Sequence, residues 1–232
     1  MENKPFSEIN IQDQIASSLN TAIAVITNPI GFFRTMPKTG GLVEPLIFLV
    51  LIGAVSGILQ AILSIFGVGP AASFFMGLAF IVIAPIATAL FSFVSGAILY
   101  IIWKLMGSQE PFETAFRCGA YAAAISPLTT LLGVIPYLGS LLGLGWMTYL
   151  LVTASVEVYQ IVAKKAWMVF GIIAALLALS SISSQIAVRR TTSALDQFQK
   201  SMKQTENMTP EEAGKKMGEF LKGMEKGAGK QN

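Results

Sequence analysis

Histidine is missing from this chain of 232 residues, and cysteine occurs once, at Cys118. Without histidine there is no imidazole general base, no histidine-containing hydrolase triad and no imidazole-ligated metal. A single cysteine excludes an internal disulfide and any cysteine-cluster zinc or iron–sulfur site. Charge is also scarce: Asp, Glu, Lys and Arg together make 12% of the residues, against about 25% in a typical soluble domain. The chain carries no Walker loop, no dinucleotide-binding glycine fingerprint, no G-x-S-x-G and no H-E-x-x-H. These absences lead to the expectation of a protein that is not an enzyme, with no cofactor and no metal.

Apolar surface fills the gap. Hydrophobic residues make 53% of the chain, and the mean hydropathy is +0.65. So much apolar surface cannot be solvated as a globule, and the bilayer becomes the solvent for much of the chain. The net charge of +3 is small. It suits anionic headgroups; no basic, aromatic-interleaved surface for nucleic acid is present. Met1 to Asn20 has no apolar run of the kind a cleaved signal needs, so a later span is expected to act as the anchor.

Ile11, Ile15, Leu19, Ile23 and Ile26 recur at helical spacing, opposite Gln12, Asp13, Gln14, Ser17, Ser18 and Thr21. The pattern predicts an amphipathic helix over Ile11 to Ile26, lying on the membrane or against the protein's own spans. Asn28-Pro29 breaks it. Phe32, Phe33 and Arg34 suit the interface, and Pro37 to Gly41 reads as a turn.

Five apolar spans follow, over about Leu42–Phe66, Phe74–Lys104, Thr114–Val134, Leu138–Ala163 and Met168–Val188. Glu44 and Pro45 sit in the first turn of the first span, where an acid complements the helix dipole. Pro85 is expected to bend the long second span and Pro127 to break the third. Tyr100, Trp103 and Lys104, then Lys164, Lys165 and Trp167, read as interfacial belts. A soluble tail follows, with a helix signalled by the cap Thr209, Pro210 and Glu212. The organisation is therefore an interfacial segment over 1–41, a membrane domain over 42–188 and a helical tail over 189–232. The fold class is all-α, a polytopic membrane helix bundle.

Lys and Arg crowd the segments before the first span and after the second and fourth, while the loops 67–73 and 134–137 hold none. The alternation places the N-terminus in the cytoplasm and the tail across the membrane, despite Arg189-Arg190 after the fifth span.

Glu157 is the informative acid, inside the fourth span, with Arg117 as its expected partner and Lys104 as a second choice. An ionisable pair there reads either as an ion-coupled site or as a buried pair that fixes helix register. A transport path generally shows more than one such group, which favours the register reading. Gly53 and Gly57, and Gly139 and Gly143, allow close helix approach, within the chain or in a homo-oligomer. With Pro127, Gly139 and Gly143 of the third and fourth spans also fit broken helices around a substrate, although close packing is the commoner use of small residues.

Several stretches taken together resemble a known family. They are Asn28-Pro29, Gly31-Phe32-Phe33-Arg34-Thr35-Met36, the Gly40-Gly41 pair, Glu44-Pro45, Phe116-Arg117-Cys118-Gly119-Ala120-Tyr121 and Ser126-Pro127. From about Thr27 to Ser184 the chain resembles the Yip-one domain family, the Ypt/Rab-interacting membrane proteins and their bacterial relatives. The acidic Asp-Leu-Tyr-Gly-Pro segment of the eukaryotic trafficking members is absent, which points to a prokaryotic branch and away from GTPase binding. The resemblance implies five spans with a cytoplasmic N-terminus and no catalytic set. The function expected is a membrane scaffold or adaptor of the inner membrane, binding lipids or protein partners. The competing expectation is a small transporter or channel using Glu157 and Arg117.

Overall fold

The computed structural model describes residues 11–66, 74–135 and 137–205, with Gly214 and Gly218. The loop 67–73, Pro136 and the tail helix expected from Thr209 lie outside the described residues. The helices are α1 (Ile11–Thr27), α2 (Pro29–Thr35), α3 (Val43–Ile65), α4 (Phe74–Leu105) and α5 (Phe112–Ala122). After a 3-10 turn, Ala123–Ile125, come α6 (Ser126–Leu132), α7 (Leu138–Glu157) and α8 (Ala163–Thr205). No strand occurs among the described residues.

The helix boundaries follow from local chemistry. The Asn28 side chain accepts from the Gly31 N–H at 3.1 Å, and Pro29 occupies the first helical position of α2. Pro127 stands at the start of α6. It has no N–H to return to the carbonyl four residues back, and the segment tightens into the 3-10 turn just before it. Gln160, with φ 56°, ends the run that began as α7.

The chain splits into two compact units, Met1–Ser181 and Ile182–Asn232. Among the described residues, four helices are long and apolar enough to cross a membrane: Val43–Ile65, Gly77–Leu105, Leu138–Glu157 and Ala163–Gln185. The third expected span is helical but interrupted, divided into α5, the 3-10 turn and α6. The result is a polytopic helix bundle with four continuous membrane helices and one broken segment. Its outer surface is apolar: Phe75, Val82, Leu90 and Phe91 of α4, and Ile172, Leu176 and Leu179 of α8, are all exposed. A coat of this extent is compatible with acyl chains and not with water.

Small residues set the closest approaches. A Cβ on Gly53 would lie 2.9 Å from the Pro85 Cα, and one on Gly57 would lie 2.5 Å from the Phe80 carbonyl oxygen. Both glycines therefore lie where α3 meets α4, next to the proline inside α4. A Cβ on Gly139 would run into the Leu132 carbonyl, and one on Gly143 would lie 2.6 Å from Thr129 Cγ2. These two glycines let α6 and α7 close into a hairpin.

The core gathers toward one end of the bundle, around Trp103, Tyr121, Cys118, Leu150, Val158 and Phe170. Trp103 is expected in the interfacial belt, yet it is buried. Its indole N–H donates to Ser155 Oγ at 2.8 Å, and its ring stacks on Tyr159 at 4.3 Å. The indole nitrogen found its partner inside the bundle rather than at a headgroup. Trp167 stays exposed.

Candidate functional site

The ionisable residues converge on the end of the bundle where α3, α5 and α8 begin and α4 and α7 finish. Lys38 pairs with Glu110 at 2.6 Å, tying the loop before α3 to the loop after α4. Lys165 Nζ donates to the Met106 carbonyl at 2.8 Å, tying α8 to the exit of α4. Successive membrane segments therefore run in alternating directions from this shared end, the broken α5–α6 segment included.

Arg117 is the centre of the arrangement. It lies one turn and a half into α5, and its side chain is 1% exposed. Its Nε donates to the Pro37 carbonyl at 2.9 Å, Nη1 to the Gly41 carbonyl at 2.8 Å and Nη2 to Glu44 Oε2 at 2.7 Å. The guanidinium also lies over the Tyr121 ring, 5.9 Å from its centroid. Two neighbours on α5 extend the grip. Glu113 Oε1 accepts from the Gly41 N–H at 2.6 Å, and Thr114 Oγ1 donates to the Lys38 carbonyl at 3.1 Å. The strapped loop is held open by Gly40 and Gly41, at φ 128° and 86°, a region that favours glycine. A planar five-donor fork suits this task, because one side chain answers two carbonyls and a carboxylate at once.

Glu157 is the last residue of α7, where a negative charge opposes the helix dipole. Arg34 of α2 answers it, with Nε 2.8 Å from Oε2 and Nη2 3.3 Å from Oε1. The hydrogen bond to Glu157 pushes the Arg34 guanidinium above its ordinary value. Gln160 Nε2 donates to the Glu157 carbonyl at 2.9 Å, satisfying one of the free carbonyls at the helix end.

The expected pairing of Glu157 with Arg117 is thus not formed. Arg117 faces the Pro37–Glu44 loop, whereas Glu157 reaches across to α2. Lys104, the second choice, lies over the Tyr100 ring at 5.5 Å. Pro127, Gly139 and Gly143 lie along α6 and α7 and belong to the hairpin rather than to this polar end. Sequence reasoning missed Arg34 and Glu44 as partners. Their signal was present, since both flank the Gly40-Gly41 turn, but a turn does not say which helix it will rest on.

A further polar feature is Tyr159, in the connection after α7. Its hydroxyl is buried beside the Cys118 thiol without a well-formed hydrogen bond. Burial, reinforced by the thiol, pushes its pKa well above the ordinary tyrosine value. Among the described residues, no group of three or more His, Cys, Asp or Glu is placed to hold a metal ion.

Alternating apolar helices, an apolar coat and a polar clamp at one end define a multi-pass helical membrane protein. The model of the Yip1 domain matches residues 23–184, and the chain belongs to that family. Comparisons with curated proteins and with solved structures return no match.

Proposed function

We propose that this Yip1-domain protein is a non-enzymatic scaffold or adaptor of the cell (inner) membrane. Its N-terminus faces the cytoplasm and its tail the opposite side. It works by holding a fixed polar end toward protein or lipid partners. The observation that carries this reading is the occupation of Arg117. A buried cation whose three nitrogens each donate, to two backbone carbonyls and one carboxylate, fixes a loop in place, and at 1% exposure it is not open to a passing solute. Glu157 is likewise engaged, at the end of a helix rather than along a path through the bundle. The transporter reading needs these two residues together, and they stand on different partners.

Reconstitution into vesicles tests the proposal. Proton, ion and lipid-scrambling rates equal to those of empty vesicles are expected. A flux that E157Q abolishes while the protein stays folded would replace the scaffold with a transporter. Sidedness is tested by labelling the exposed lysine Lys164 with an impermeant reagent in sealed cells. Labelling from outside the cell would reverse the orientation.

A further inference from the structure

The first helix divides its circumference three ways. At about 100° per residue, Ser18, Ala22 and Val25 fall on one side of α1, flanked by Gln14 and Thr21. The first three are buried and the flanking pair partly buried. Ile15, Leu19 and Ile23 fall about a third of a turn away, at 42%, 48% and 58% exposure. Asp13, Ser17, Asn20 and Thr27 fill the remaining third and are also exposed. The face that packs inward is the small one; of the isoleucine and leucine stripe, Ile26 at the end of the helix packs against the core, while Ile15, Leu19 and Ile23 turn outward.

A helix between protein and water needs only two such sectors, an apolar face inward and a polar face outward. Here the large apolar side chains turn away from the protein, and a separate polar face turns away from both. Three sectors fit a helix at a junction of three media. The position of α1 agrees with this. It packs on the 3-10 turn, which follows the 11 residues of α5, and on α3, a membrane span. Both neighbours belong to the helices of the bundle rather than to the connections at its charged end. Val50 and Val55 of α3 are exposed, as are the apolar residues of the α4 and α8 coat.

We propose that α1 lies at the junction of bundle, lipid and water, with Ile15, Leu19 and Ile23 buried among acyl chains of the leaflet at the charged end. The helix has no Lys or Arg. Headgroup attraction therefore does not hold it, and its depth is set by docking of the small face on the bundle. The inference rests on the membrane fold and stands whether or not the protein proves to be a scaffold.

Site-directed spin labelling of the full chain tests it. Nitroxides are placed singly at Leu19→Cys, Ile23→Cys, Ser17→Cys and Asn20→Cys, all exposed positions, with buried Cys118 left in place. The protein is reconstituted in vesicles of phosphatidylcholine and phosphatidylglycerol. Collisions with molecular oxygen, which concentrates in lipid, are compared with those of a water-soluble nickel chelate. Labels at Leu19 and Ile23 are expected to collide with oxygen and to be shielded from nickel, with the reverse at Ser17 and Asn20. Nickel access at Leu19 and Ile23 equal to that at Asn20 would put the stripe in water and overturn the proposal. Shielding from both reagents would overturn it as well, because the stripe would then be covered by protein, a second copy or a partner.

Discussion

Arg117 Nη2 sits 2.7 Å from Glu44 Oε2, yet the two side chains live in different media, the first 1% exposed and the second 68%. The bond is therefore asymmetric in its consequences. The carboxylate can be returned to water when its partner is lost; the carbonyls of Pro37 and Gly41 cannot easily be returned.

Truncation at the two ends of this bond should differ accordingly. R117A leaves two backbone carbonyls without donors and should destabilise the detergent-solubilised protein by about 3 kcal/mol. E44Q should cost less than about 1 kcal/mol, as an exposed ion-pair member does. Thermal unfolding of both variants checks the order. Equal losses would mean that the ion pair, not the carbonyl grip, holds the loop.

The Arg34–Glu157 pair is lopsided in the other direction, with the base 66% and the acid 16% exposed. R34A strands a largely buried carboxylate at a helix C-terminus, so it should lower the melting temperature more than E157Q does. Adding E157Q to R34A should restore part of the loss. Molar salt should narrow the gap between wild type and R34A, since screening weakens the exposed half of the pair. A double variant less stable than R34A would contradict this account.

Two glycines of the same helix should behave oppositely. G139A pushes a methyl group against the Leu132 carbonyl and should cost about 1–3 kcal/mol or more by overpacking. Around Gly145 nothing lies within 4 Å of an added Cβ, and G145A should be neutral or stabilising by about 0.5–1 kcal/mol. Melting temperatures of the two alanine variants decide it. A destabilised G145A would show that this face is packed against something.

Tyr159 gives a pH dependence with a definite sign. Its folded value is raised above the ordinary 10.0 by burial, so the folded state keeps a proton that the unfolded state releases. Its contribution to stability is full below pH 10.0 and is lost as pH rises above it. The loss of stability on going from neutral to strongly alkaline pH should be smaller in Y159F than in wild type. Tyrosinate absorbance should show the same number of phenols ionising before unfolding in wild type and in Y159F, because the phenol removed is one the fold keeps protonated, and one more appearing in wild type only on unfolding.

Much of the fold was legible because membrane burial is a local, additive property. Long apolar runs announced α3, α4, α7 and α8, and Asn28-Pro29 and the Gly40-Gly41 turn placed breaks where the chain has them. The interruption near Pro127 was legible for the same reason, since a missing N–H acts within one turn. What the pattern could not carry was which surface a helix would meet. The isoleucine stripe of α1 was visible, but periodicity is silent on whether a stripe faces protein or lipid. In this chain the smaller face won the bundle, because Ser18, Ala22 and Val25 allow closer approach. Trp103 misled for a related reason: a tryptophan at a span end serves equally as a belt or as a core residue with a hydrogen-bond partner.

From composition and periodicity alone came an all-helical membrane chain without histidine or disulfide chemistry, its basic residues grouped on alternate connections. The tertiary structure decided the partners. Glu44 meets Arg117 across 73 residues, and Arg34 meets Glu157 across 123. Helix formation is governed by neighbours three and four residues apart, so it can be read along the chain. An ion pair between distant helices depends on how those helices pack, and no local signal encodes that geometry.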